Sequence, residues 1–180
     1  MSHILLGVSA SVAVYKACDL ASKLTQSGHV VRVVLTARAA ELVAPQLFEA
    51  VTGEPAATTE YGPERRGSMD HIDLARWAEM LLVAPCTADL LGRLAHGLAD
   101  DLLTTLVLAV DPGVPRLLCP AMNPTMLANP AVVRNLACVA EDGWEVVEPV
   151  AGHVACGEAG PGRLAEPAEI AERVARRLES

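Results

Sequence analysis

Short apolar runs separated by stretches of helical periodicity constrain this chain more than any other feature. The runs cover residues 4–8, 30–35, 80–84, 116–119 and 145–147. Residues 30–35 are β-branched or leucine apart from Arg32, and they are continuous rather than alternating. That pattern belongs to a strand covered on both faces. Between the runs, Val12, Tyr15, Leu20 and Leu24 mark a helix that stops at Gly28, a natural terminator. Further helical segments are expected at 37–43, 45–51, 88–98, 100–110, 132–141 and 167–178, the last with Pro167 in its first turn. Residues 52–69 carry Gly53, Pro55, Gly62, Pro63 and Gly67 and read as a mobile loop. Alternating strands and helices imply a doubly wound parallel sheet in three αβα layers, a Rossmann-like, flavodoxin-type α/β fold. No linker or internal repeat interrupts residues 1–180, so one domain is expected.

Composition narrows the function classes. The chain is 52% hydrophobic but has only five aromatic residues (Tyr15, Phe48, Tyr61, Trp77, Trp144), so its core rests on Ala, Val and Leu. The apolar surplus points to surface covered in a homo-oligomer. Net charge is −8, and no basic run interleaves with aromatics, which argues against nucleic-acid binding. Residues 4–8 lack a basic flank and read as a first strand, not a signal peptide. No run approaches the ~20 apolar residues of a membrane helix. Cys18, Cys86, Cys119, Cys138 and Cys156 are scattered without a CxxC. They imply free thiols in a reducing, cytoplasmic compartment and no zinc site. Nor do His3, His29, His96 and His153 have the spacing to join His71 in a metal cluster.

In a fold of this kind, ligands sit beyond the carboxyl ends of the strands. Three segments reach that edge: Ser9 to Val12, Thr36 to Arg38, and Pro85 to Leu90. Their hydroxyls can donate hydrogen bonds, and the first helix offers its N-terminus to a phosphate. Each alone also reads as an ordinary strand–helix turn with a capping residue. No G-x-G-x-x-G or Walker A motif is present, so a mononucleotide such as FMN fits better than a dinucleotide or ATP. His71, in Met69-Asp70-His71-Ile72-Asp73-Leu74, reads more readily as a surface or capping residue than as a functional one. Asn123, in Pro120-Ala121-Met122-Asn123, can bind a carboxylate through its NH₂ group, or can simply open the turn before Pro124. Residues 149–166 include Ala155-Cys156-Gly157-Glu158-Ala159-Gly160-Pro161-Gly162-Arg163. Glycines around a cysteine suit a flap over a ligand, or a long surface loop.

Together these segments resemble the homo-oligomeric flavin-containing cysteine decarboxylases. The matching set is Gly7-Val8-Ser9-Ala10-Ser11-Val12-Ala13, His71-Ile72-Asp73-Leu74, Ala84-Pro85-Cys86-Thr87-Ala88-Asp89, Gly97-Leu98-Ala99-Asp100-Asp101-Leu102-Leu103, Pro120-Ala121-Met122-Asn123, and Ala155-Cys156-Gly157 through Gly162-Arg163. Two positions depart from the family pattern: Asp89 stands where Asn is usual, and Leu127 where many members have Trp. The flap is similar to that of the phosphopantothenoylcysteine decarboxylases within the family.

The resemblance implies FMN as cofactor, held by Ser9, Ala10, Ser11, Thr36, Arg38, Thr87, Ala88, Asp89 and Leu90, with Ala121 and Met122 near its ring system. It implies His71 as base, Asn123 as the contact to the substrate carboxylate and Cys156 as proton donor. The implied reaction converts 4'-phosphopantothenoylcysteine to 4'-phosphopantetheine for coenzyme A. The thiol-bearing carbon is oxidised to a thioaldehyde, CO₂ is lost, and the enethiol is reduced. Two alternatives remain at this point: decarboxylation of a Cys-terminated precursor peptide, which stops at the enethiol, and a flavin-binding regulatory protein without turnover. A homotrimer or homododecamer is also implied.

Overall fold

The first half of the chain builds the half-sheet that the apolar runs foreshadow. In the computed structural model, which describes residues 1–60, 70–153 and 159–179, strand β1 (His3–Val8) leads to helix α1 (Val14–Gln26) and strand β2 (Val30–Leu35). Helices α2 (Ala37–Leu42) and α3 (Pro45–Thr52) follow, then strand β3 (Ala56–Ala57), helix α4 (Asp70–Trp77) and strand β4 (Met80–Cys86). The second half continues with α5 (Ala88–Ala95), α6 (Leu102–Ala109), β5 (Arg116–Pro120), α7 (Pro124–Leu127), α8 (Pro130–Glu141) and β6 (Trp144–Val146). A hairpin of β7 (Val150–His153) and β8 (Ala159–Arg163) precedes the terminal helix α9 (Pro167–Glu179).

The main sheet has six strands, in the order β3-β2-β1-β4-β5-β6. All its pairings are parallel. Without the two-residue β3, the remaining strands follow the flavodoxin order 2-1-3-4-5. With it, the order becomes 3-2-1-4-5-6, that of the dinucleotide folds. In both descriptions the winding reverses between β1 and β4, which is where such folds open a ligand crevice.

Two apolar clusters cover the two faces of the sheet. Ile4, Leu6 and Val8 of β1 join Val31, Val33 and Leu35 of β2 and Met80, Leu82 and Ala84 of β4 beneath α1, α3 and α9. Leu5, Val34, Leu81, Val83 and Cys86 face the opposite way, toward α4, α5, α6 and α8. Strand geometry sends successive side chains to opposite faces, so each continuous run feeds both cores. Every residue of β4 is buried. Burying a Val or Leu side chain contributes about 1.5–3 kcal/mol, which is how a core nearly without aromatics holds together. Gly7 lies where a Cβ would collide with the Leu103 side chain, so its missing side chain lets α6 approach β1.

Three departures from the sequence reading have physical reasons. Val12 and Tyr15 are exposed, and the buried stripe of α1 is Val14, Ala17, Leu20, Ala21 and Leu24; the correct helical phase is set by small alanines that a search for large apolar residues passes over. The expected loop at 52–69 contains β3, a two-residue strand too short to leave a pattern, while residues 61–69 lie outside the described residues. The glycine-rich flap contributes an antiparallel hairpin rather than only irregular chain. The apolar segment 102–110 is mostly intramolecular core: Leu102, Leu103, Leu106, Val107 and Val110 are buried, and Leu108 is exposed.

Candidate active site

The carboxyl edge at the winding reversal collects the segments that the sequence singles out. Ser9 follows β1, Thr36 follows β2, Thr87 follows β4 and Ala121 follows β5. His71 reaches the same edge by a different route. A helix that precedes a strand in this topology runs back along the sheet, so the first turn of α4 lies at the carboxyl end of β4. Its acidic residues Asp70 and Asp73 suit the positive end of the helix dipole.

Ser9 ties two of these loops together. It is 2% exposed, and its Oγ donates to the Pro85 carbonyl at 2.8 Å and accepts from the Thr87 N–H at 2.9 Å. Its own N–H also donates to the Pro85 carbonyl, at 3.2 Å. The hydroxyl proton is therefore committed inside the protein, and Ser9 shapes the crevice instead of offering its side chain to a ligand. Ser11 Oγ accepts from the Ala13 N–H at 3.2 Å, and its carbonyl accepts from the Val14 N–H. This turn leaves the N–H groups of Ala10, Ser11 and Val12 without acceptors among the described residues. Consecutive unpaired N–H groups ahead of a helix make a donor set suited to a phosphate.

Thr36 and Thr87 serve as N-caps. Thr36 Oγ1 accepts from Ala39 N–H at 3.2 Å, and Thr87 Oγ1 accepts from Leu90 N–H at 3.3 Å. Each cap satisfies one orphan donor and leaves the first-turn N–H groups of Ala37 and Arg38, and of Ala88 and Asp89, directed at the edge. Arg38 is exposed and has no ion pair among the described residues. Asp89 is also exposed and pairs with Arg93 at 3.1 Å. Leu90 departs from its expected role: its side chain is in the core and its N–H is used by Thr87, so it offers a ligand neither. Ala121 is likewise buried, with its N–H donating to the Cys86 carbonyl.

The next segment carries the base of the hairpin. Met122 N–H donates to the Gly162 carbonyl at 3.0 Å. Gly162 has φ +145° and lies so close to Met122 that an added Cβ would overlap its carbonyl oxygen. Asn123 caps α7, with Oδ1 accepting from the N–H groups of Thr125 at 2.7 Å and Met126 at 3.3 Å. Those donors require oxygen on that side of the amide, which turns the NH₂ group away from α7. Cys156 lies outside the described residues. Leu127, the other departure from the family pattern, packs partly buried against the second core cluster.

Two residues were not anticipated. Glu60 forms a hydrogen bond with Nδ1 of His71, and both side chains are largely covered, at 11% and 17% exposed. The ten intervening residues, with Gly62, Pro63 and Gly67 among them, hide the pairing from any periodicity. Lys16, on α1, is buried; its Nζ donates to the Leu164 carbonyl at 3.1 Å and to Glu166 at 2.8 Å. It pins the chain where it leaves β8. A lysine inside an apolar helical stripe is the signal that would have found it.

A family model described as Flavoprotein matches residues 1–179. The chain belongs to this flavoprotein family. Among curated relatives, the coenzyme A biosynthesis bifunctional protein CoaBC of Vibrio vulnificus (strain YJ016) is 46% identical over 167 residues, covering 93% of this chain and 41% of that protein. The flavoprotein chain thus spans about two-fifths of the length of the curated relatives it matches. A solved PPC decarboxylase mutant complexed with pantothenoylaminoethenethiol superposes with a TM-score of 0.85 at 33% identity, over 99% of both chains. The FMN-dependent cysteine decarboxylase SpaF gives 0.84 at 33% identity, over 100% of this chain and 98% of that one.

Proposed function

We propose that this flavoprotein is an FMN-dependent decarboxylase that converts 4'-phosphopantothenoylcysteine to 4'-phosphopantetheine in coenzyme A biosynthesis. The observation that carries the reading is the meeting of Ser9, Thr36, Thr87, Asn123 and His71 at one sheet edge, where the winding reverses. Relatives named for coenzyme A biosynthesis and for PPC decarboxylation support the substrate, and an FMN-dependent cysteine decarboxylase of the same fold supports the cofactor.

The donor set fits FMN. The free N–H groups of Ala10, Ser11 and Val12 hold the phosphate, with Arg38 supplying positive charge. Thr36, Thr87, Ala88 and Asp89 line the neighbouring edge, and Ala121 and Met122 flank the ring system. FMN, when bound, would supply the two-electron redox chemistry that makes loss of CO₂ from a cysteine carboxylate feasible. The protein's residues orient and handle protons. Asn123 positions the substrate carboxylate through its NH₂ group, fixing the orientation of the bond that is to break. His71 is the base that takes and returns protons. Cys156 protonates the enethiol product. Residues 149–166 form the covering flap of a single domain spanning 1–180, and the docking of β8 on Met122 and Pro124 anchors that flap beside Asn123.

The exposed Val12, Tyr15, Leu98, Leu108 and Val133 support assembly as a homotrimer or homododecamer. Cys18, Cys86, Cys119 and Cys138 are free thiols, which supports a reducing, cytoplasmic setting. No helix among the described residues is long and apolar enough to cross a membrane.

The test supplies the FMN-loaded chain with phosphopantothenoylcysteine and, separately, with a Cys-terminated peptide. CO₂ and phosphopantetheine are expected from the first. CO₂ and an enethiol from the peptide alone would reassign the chain as a peptidyl-cysteine decarboxylase. Bound flavin with no CO₂ from either substrate would leave a flavin-binding regulatory protein. In the same assay, His71→Asn is expected to retain flavin and lose about 10²-fold or more of CO₂ release, whereas Cys156→Ser should release CO₂ and accumulate the enethiol.

A further inference from the structure

Glu60 reaches His71 because of β3. The two residues of that strand pair with Val33 and Val34 of β2, and the Ala56 N–H donates to Glu49 at 3.2 Å. Just before them, Glu54 pairs with Arg32 at 3.1 Å. Chain held in this way leaves the sheet at its carboxyl edge. Ala57 packs against the apolar cluster that includes Ala75 of α4, and three residues later Glu60 meets His71 in the first turn of that helix. The contact is to Nδ1 of His71, while Nε2 has no partner among the described residues.

We propose that Glu60 is the positioning residue of His71. Its carboxylate accepts the Nδ1 proton, and this leaves the lone pair on Nε2 as the site that exchanges protons with the substrate. A carboxylate accepts and does not donate, so the pairing selects one imidazole tautomer as well as one ring orientation. The inference rests on the reading of His71 as the base.

A purely structural tether would give the same contact, so the test reads the tautomer as well as the rate. In the FMN-loaded chain labelled with ¹⁵N-histidine, His71 is expected to show a protonated Nδ1 and an unprotonated Nε2. An unprotonated Nδ1 at neutral pH overturns the proposal without any variant. Glu60→Gln is expected to lower kcat for CO₂ release on the order of 10–100-fold, with KM within about threefold, flavin content unchanged and the tautomer no longer fixed. Glu60→Asp, which keeps the carboxylate, should recover a measurable part of kcat. A Glu60→Gln enzyme with kcat within about twofold of the parent, or with the His71 signals unchanged, overturns the pairing. His71→Asn with full CO₂ release would instead overturn the base role itself, which keeps the two failures apart.

Discussion

A serine that follows a strand at the ligand edge is expected to present its hydroxyl outward, yet the Ser9 proton is spent on Pro85. Residue spacing could not reveal that partner, because the Pro85 carbonyl lies 76 residues away in the chain. Asn123 is the reverse case: its expected turn role is present as a cap, and that cap orients the NH₂ group assigned to the substrate. Gly162 shows how one atom decides local structure. With φ +145° and the Met122 carbonyl where a Cβ would stand, Gly162→Ala must shift β8 or the Met122 segment. Strain of this kind costs roughly 1–3 kcal/mol. Urea unfolding is expected to show that loss, and proteolysis at Arg163 should quicken in the native state as the hairpin base loosens.

At the level of elements, the base of the hairpin is held from both sides, by Met122 and by Lys16 on α1. The hydrogen bond from the Lys16 ammonium holds the Glu166 carboxyl below its ordinary range, helped by the charges of Lys16 and of Arg163. A carboxyl depressed on folding adds stability that is present above its unfolded pKa and lost as pH falls through the lower folded value. Glu166→Gln should therefore destabilise the protein at pH 7, with the difference closing once the pH falls below the folded value of Glu166. Glu166 is 56% exposed, so solvent screening keeps the effect at or below about 1 kcal/mol. Denaturant midpoints for parent and variant across that range check both sign and size. Elements with strong patterns, such as β2 and β4, were legible to within a residue or two. β3 and the hairpin were not, because two-residue and glycine-rich strands gain their order from the neighbours they pair with rather than from their own side chains.

On the scale of the whole molecule, the parallel sheet separates two apolar clusters, and Cys86 and Cys119 lie on opposite sides of it. Burial pushes both thiols well above the ordinary cysteine range, and neither has exposed surface. Alkylation of the native protein with iodoacetamide is expected to leave both unmodified by mass spectrometry, and alkylation in urea should label them; native-state labelling of either would contradict the packing. The α/β class was determined by the amino-acid sequence alone, and the carboxyl edge proposed for the site was read from it too, because both follow from the order of apolar runs and helical stretches, a local property. Tertiary structure alone decided which core each strand residue enters, that the Ser9 hydroxyl faces inward, that Lys16 secures the hairpin and that Glu60 meets His71. Each of those depends on groups far apart in the chain meeting at contact distance, and residue spacing along a sequence carries no record of such meetings.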